Sequence, residues 1–101
     1  MVYVTQIISV KKGKEAVFES FEALAIPLIA KYKGQLLLRI RPDKANIITT
    51  NMPDDPYEVH VVAFETEDDF ERFMNNEERK SFLHLKDESV SSMTLIKGRK
   101  L

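Results

Sequence analysis

The segment Tyr57-Glu58-Val59-His60-Val61-Val62-Ala63-Phe64-Glu65 carries β-branched and aromatic residues at the density expected of a strand. Successive side chains on a strand point to opposite faces. Val59, Val61 and Ala63 therefore share one face, wholly apolar, while Glu58, His60, Val62 and Phe64 share the other. Residues 35–41 read the same way, with Leu36, Leu38 and Ile40 of one parity and Leu37, Arg39 and Arg41 of the other. An antiparallel hairpin with Ile40 opposite Val59 and Leu38 opposite Val61 matches apolar with apolar. It also brings Arg39 opposite His60 and Arg41 opposite Glu58. A slip of one residue would mix the two sets. The wholly apolar set is expected beneath helices. That leaves Leu37, Arg39, Arg41, Glu58, His60, Val62 and Phe64 on an uncovered face.

Outward from this hairpin, the chain supplies two helical regions and two more strands. Residues 2–10 are rich in Val, Ile, Tyr and Thr and predict the first strand, broken by Gly13. Over residues 14–32 the apolar positions Val17, Phe21, Leu24 and Leu28 recur at helical spacing, flanked by Phe18, Ala25, Ile29 and Tyr32. Pro27 removes one backbone hydrogen bond and predicts a kink near 23–27, and Gly34 is a helix stop. Residues 43–56 form a long connection with turn chemistry at Pro53, Asp54, Asp55 and Pro56. Its run Ile47-Ile48-Thr49-Thr50 suits either a short added strand or a flap. Thr66 is placed to cap a helix whose first turn holds Glu67, Asp68 and Asp69, with Phe70, Phe73 and Met74 on its buried side. A second helical piece is predicted over 77–86, burying Phe82, Leu83 and Leu85, and a last strand over 90–97. The order β-α-β-β-α-β is that of the ferredoxin-like α+β fold: a four-stranded antiparallel sheet with helices on one face. One domain is expected to span residues 1–101.

Composition narrows the function. Apolar residues make up 44% of the chain and charged residues 31%, a globular mixture. The formal net charge is −1, which gives no broad positive field for nucleic acid, and the basic stretch Lys97, Arg99, Lys100 is short. The chain has no cysteine, which excludes disulfides, thiolate metal sites and cysteine nucleophiles. No apolar run approaches the roughly 20 residues of a membrane helix, and residues 1–6 do not read as a signal peptide. A cytoplasmic protein without membrane or nucleic-acid partners is expected. There is no dinucleotide, phosphate-loop or calcium-loop motif. With two histidines only, one of them His84 on a helical surface, no metal or other cofactor is expected.

The opening Tyr3-Val4, the helix residues Phe18, Phe21 and Pro27, the helix exit Lys31-Tyr32-Lys33-Gly34-Gln35-Leu36-Leu37-Leu38-Arg39 and the strand end Val61-Val62-Ala63-Phe64-Glu65-Thr66 together carry a family likeness. They resemble the dimeric α/β-barrel superfamily and, within it, the family named domain of unknown function 1330. Lys33 stands where that family has the first glycine of a pair, Glu65 where it has proline, and of its later aromatic pair only Arg72-Phe73 remains. The resemblance implies two subunits whose sheets stack into a barrel, and it implies no established activity. Enzymatic relatives include cofactor-free monooxygenases and haem-degrading enzymes. One pattern among them uses Asn, Trp and His, and this chain has no Trp.

An uncovered face carrying Leu37, Val62 and Phe64 marks a partner surface, and a second copy of the same sheet is the simplest cover. On that face His60 is the candidate acid, base or ligand. Its alternative is a histidine hydrogen-bonded within a dimer interface. Arg39 and Arg41 suit bidentate capture of a carboxylate or phosphate, or else ion pairing with Glu58. Arg39, Arg41, Glu58 and His60 are thus the candidate ligand-binding set, with His60 the candidate catalytic residue. Two functions are compatible with them. One is a small homodimer holding a small molecule between the sheets. The other is a cofactor-independent enzyme, a monooxygenase or isomerase, acting on a small aromatic or acidic compound. Without a committed triad or metal set, the sequence favours the first.

Overall fold

A computed structural model describes residues 1–101. The elements follow the order β1 (Val2–Val10), α1 (Glu15–Lys31), β2 (Gly34–Ile40), β3 (Glu58–Phe64), α2 (Glu67–Met74), α3 (Glu77–Ser81), α4 (Leu83–Ser89) and β4 (Val90–Gly98). The strands form one antiparallel sheet in the order β2-β3-β1-β4. This is the expected ferredoxin-like α+β arrangement, with the helices on one face.

The local signals act as the sequence suggests. The Thr66 hydroxyl accepts from the Asp69 backbone N–H at 3.1 Å and caps α2. The helix α1 continues through Pro27. Proline cannot donate to the carbonyl four residues back, at Ala23, and both residues face solvent. The second helical piece divides into α3 and α4 at Phe82, whose ring turns into the core and meets Phe21 at 5.9 Å, nearly edge-on. Between β2 and β3 the chain forms a single 3₁₀ turn at Lys44–Asn46 and no added strand; Ile48 stands 94% exposed. The Tyr57 N–H to Ile8 carbonyl bond, 2.7 Å, ties the end of this connection back to β1.

The hairpin register is the one the parity argument gives: Leu38 opposite Val61, Arg39 opposite His60, Ile40 opposite Val59. The faces, however, are reversed. Val62 and Phe64 lie buried under the helices, the Phe64 ring 5.5 Å from Phe70 and 5.4 Å from Phe73 of α2. Glu58 and His60, of the same parity, are buried with them. A bulge adds a second correction. Leu36 pairs with Val62 and Leu38 with Val61, so Leu37 is the extra residue and Leu36 joins the helix side, packed on the core.

The face away from the helices therefore carries the apolar β3 set Val59, Val61 and Ala63. Its cross-strand rows run Leu38, Val61, Thr5, Ile96 and Ile40, Val59, Ile7, Thr94. The physical reason for the reversal is that charge on the covered face is matched by charge on the helix above it.

Candidate functional site

β3 aims Glu58 and His60 at α1, and β2 aims Arg39 and Arg41 the same way. On α1, Glu15, Glu19 and Glu22 stand at helical spacing i, i+4, i+7, one acidic stripe facing those strands. Glu58 is wholly buried and is the hub. It pairs with Arg39 Nε at 3.1 Å and accepts from an Arg41 guanidinium nitrogen and from His60 Nε2. Glu19 takes the outer side of both arginines, at 3.7 Å from Arg39 and in direct contact with Arg41. Arg41 also stacks over the Tyr57 ring, 4.7 Å from its centre. His60 Nε2 lies 3.8 Å from Glu22, which is also buried.

The two buried carboxyls have opposite environments. Burial alone would raise Glu58, but donors from His60, Arg39 and Arg41 outweigh it and hold the group down at about 2. Glu22 has no such set of donors. Burial dominates and pushes it up to about 7, with His60 and Arg39 opposing and Glu58 and Glu19 reinforcing. One acid is thus a fixed anion and the other titrates near neutrality.

Glu22 and His60 face a cavity of about 160 Å³ between the sheet and the helices, where 14 of the 19 lining residues are apolar. Arg79 and Lys86 are its other charged wall residues. Arg39, Arg41 and Glu58 do not line it. Of the four residues singled out from the sequence, all are brought together in one network, and only His60 reaches the cavity. Arg41 borders a separate polar cleft with Lys11, Lys12, Asp54, Asp55 and Tyr57.

Donor atoms of Glu22, Glu58 and His60 lie within 4.8 Å of one another, close enough to hold a metal ion. A cation there would meet the Arg39 and Arg41 guanidinium groups already paired with Glu58, so the charge set opposes it.

Two residues of this region escape the sequence reading. Glu22 is an acid on the apolar stripe, four residues after Phe18 and three before Ala25, and that misfit is its signal. Arg79 belongs to the run Glu77-Glu78-Arg79-Lys80, which reads as a solvated face, yet it is only 7% exposed. Its spacing of three from Phe82 is the single hint that it turns inward. His84 is exposed, as expected.

No protein-family model matches the chain. No curated protein matches it either. Solved structures do. A protein of unknown function from Rhodopseudomonas palustris superposes with a TM-score of 0.84 at 7% identity, over 99% of this chain and 82% of that one. A protein from Bacteroides fragilis, described as dimeric, of unknown function and with a ferredoxin-like fold, gives 0.70 at 14% identity, over 98% and 95% of the two chains. A dabb family protein with a ferredoxin-like fold from Mesorhizobium loti gives 0.71 at 10% identity, over 99% and 96%. At these identities the likeness shows the fold, and the fold is ferredoxin-like. Fold alone does not assign chemistry.

Proposed function

We propose that residues 1–101 form one domain that pairs with a second copy through the outer sheet face and binds a small molecule in the cavity beneath its own helices. The observation that carries the binding reading is the cavity itself. It is apolar over most of its wall, with a few polar groups on it, Glu22, His60, Arg79, Lys86 and Gln6, the usual make-up of a small-molecule site. Its volume is close to that of a cavity that admits one benzene-sized molecule. Pairing is supported by the exposed apolar rows of the outer face, and by the description of the Bacteroides fragilis neighbour as dimeric. The narrower tie to domain of unknown function 1330 rests on the helix exit around Lys31 and Gly34.

The test is a ligand-observed NMR screen of single-ring compounds against the native protein and Ala25→Leu. Ala25 lines the cavity, so the larger side chain fills it. Binding to the native protein that is lost in the folded variant supports the reading. No binder, or binding unchanged by Ala25→Leu, overturns it.

A specific observation favours a second reading, a cofactor-independent enzyme. Glu22, poised near neutrality beside His60, is suited to general acid–base work. Of the two reaction types weighed, isomerisation fits better, because it needs only a proton moved.

A further inference from the structure

The cavity contains a second feature that its role in packing does not explain. Arg79 is buried, yet no carboxylate lies within ion-pairing distance of it. Its Nη1 makes one long bond, 3.4 Å, to the Met74 carbonyl, and its Nε has no partner at all. The guanidinium lies over the Phe73 ring at 5.3 Å. Its backbone is fixed, since the Asn76 side chain accepts from the Arg79 N–H at 2.8 Å. A buried cation without a counter-ion is costly, and removing it in favour of an apolar residue is commonly neutral or favourable. An unpaired guanidinium on a cavity wall is open to an anionic partner from outside.

Every charged group facing the cavity bears on what that partner is. Arg79 and Lys86 are cations; Glu22 and His60 complete the set. Glu22 is the only acid whose charge acts on Arg79, and its burial leaves it about half charged at pH 7 and mainly neutral below that. Two cations therefore face one partly ionised acid, and positive charge is in excess on the cavity wall.

We propose, resting on the small-molecule reading above, that the ligand is a single-ring carboxylate whose anionic group docks on the Arg79 guanidinium while its ring fills the apolar cavity. A planar carboxylate matches the guanidinium fork, and its one charge answers the unpaired cation. The volume leaves space for about one ring. Glu22 and His60 then meet the ring's polar substituents, which is the geometry a proton transfer on such a ligand needs.

The probe is benzoate, with toluene as its uncharged counterpart, titrated into the native protein and into Arg79→Met. Benzoate is expected to bind about tenfold or more tightly than toluene, as a charged hydrogen-bonded contact predicts. Arg79→Met is expected to remove that advantage and leave toluene unchanged. On the native protein the Arg79 Nε–H resonance is expected to shift with benzoate and not with toluene, a readout that needs no variant to fold. Equal binding of the two probes, or an Arg79 signal that ignores benzoate, overturns the docking inference while the cavity reading stands. If neither probe binds, the docking inference falls, while the cavity reading is decided by the single-ring screen and its Ala25→Leu control.

Discussion

At the scale of single residues, Glu22 and Glu58 make opposite contributions to the pH dependence of stability. Glu58 is depressed from 4.5 to about 2, so its stabilisation is present above pH 4.5 and is lost as pH falls toward 2. Glu22 is raised from 4.5 to about 7, so the folded state holds a proton that the unfolded chain has released. Its cost therefore grows as pH rises from 4.5 and is complete above 7. A shift of that size, 7 minus 4.5, corresponds to on the order of 3 kcal/mol. Glu22→Gln keeps the shape and cannot ionise. It should match native stability near pH 4 and exceed it at pH 8, by denaturant unfolding at both values. A stability difference that does not change with pH would remove Glu22 as the titrating group.

At the scale of elements, the corner from α1 into β2 shows how far sequence reaches. Gly34 was legible as a helix stop, and Lys33 as a residue standing where the resembled family has glycine. The structure supplies the reason these positions matter. Lys33 has φ of 59°, the left-handed region, where a side chain costs roughly 1–2 kcal/mol. At Gly34 an added Cβ would lie 2.6 Å from Ile29 Cγ2 and 2.9 Å from the Ile29 carbonyl oxygen. Opposite outcomes are expected from two neighbouring changes. Lys33→Gly should raise the melting temperature, with a net gain of about 0.5–1 kcal/mol after the extra entropy of glycine. Gly34→Ala should lower it, at the roughly 1–3 kcal/mol of an overpacked site. The neighbouring bulge was not legible. Leu36, Leu37 and Leu38 are identical, so an extra residue among them leaves no mark on the parity pattern. Nor does an apolar pattern say what covers a face; it says only which residues share one.

At the scale of the whole molecule, the same limit explains what was read of the site. Register is set by matching neighbours along the hairpin, so Arg39 against His60 and Arg41 against Glu58 followed from two strands alone. Which side they face depends on α1, whose acidic stripe answers them from a part of the chain that strand parity does not consult. Arg79 is hidden for the same reason, since its burial comes from packing of α3 across the cavity rather than from its own charged run. The reversal also moves the surface on which association rests. Leu38, Ile40 and Ile96 stand 46%, 44% and 53% exposed on the outer face, in rows with Val59 and Val61. Phe64 is 1% exposed in the core. A charge at each position should therefore act differently. Leu38→Asp disturbs no buried packing within the protomer, so the fold should survive while apolar pairing across the sheets is lost. Light scattering on the native chain should report twice the 11.7 kDa chain mass, and on Leu38→Asp the chain mass itself, with an unchanged circular dichroism spectrum. Phe64→Asp buries a charge without a partner and should unfold the chain instead of splitting a pair. A folded Phe64→Asp monomer beside a Leu38→Asp dimer would reverse the assignment of the two faces.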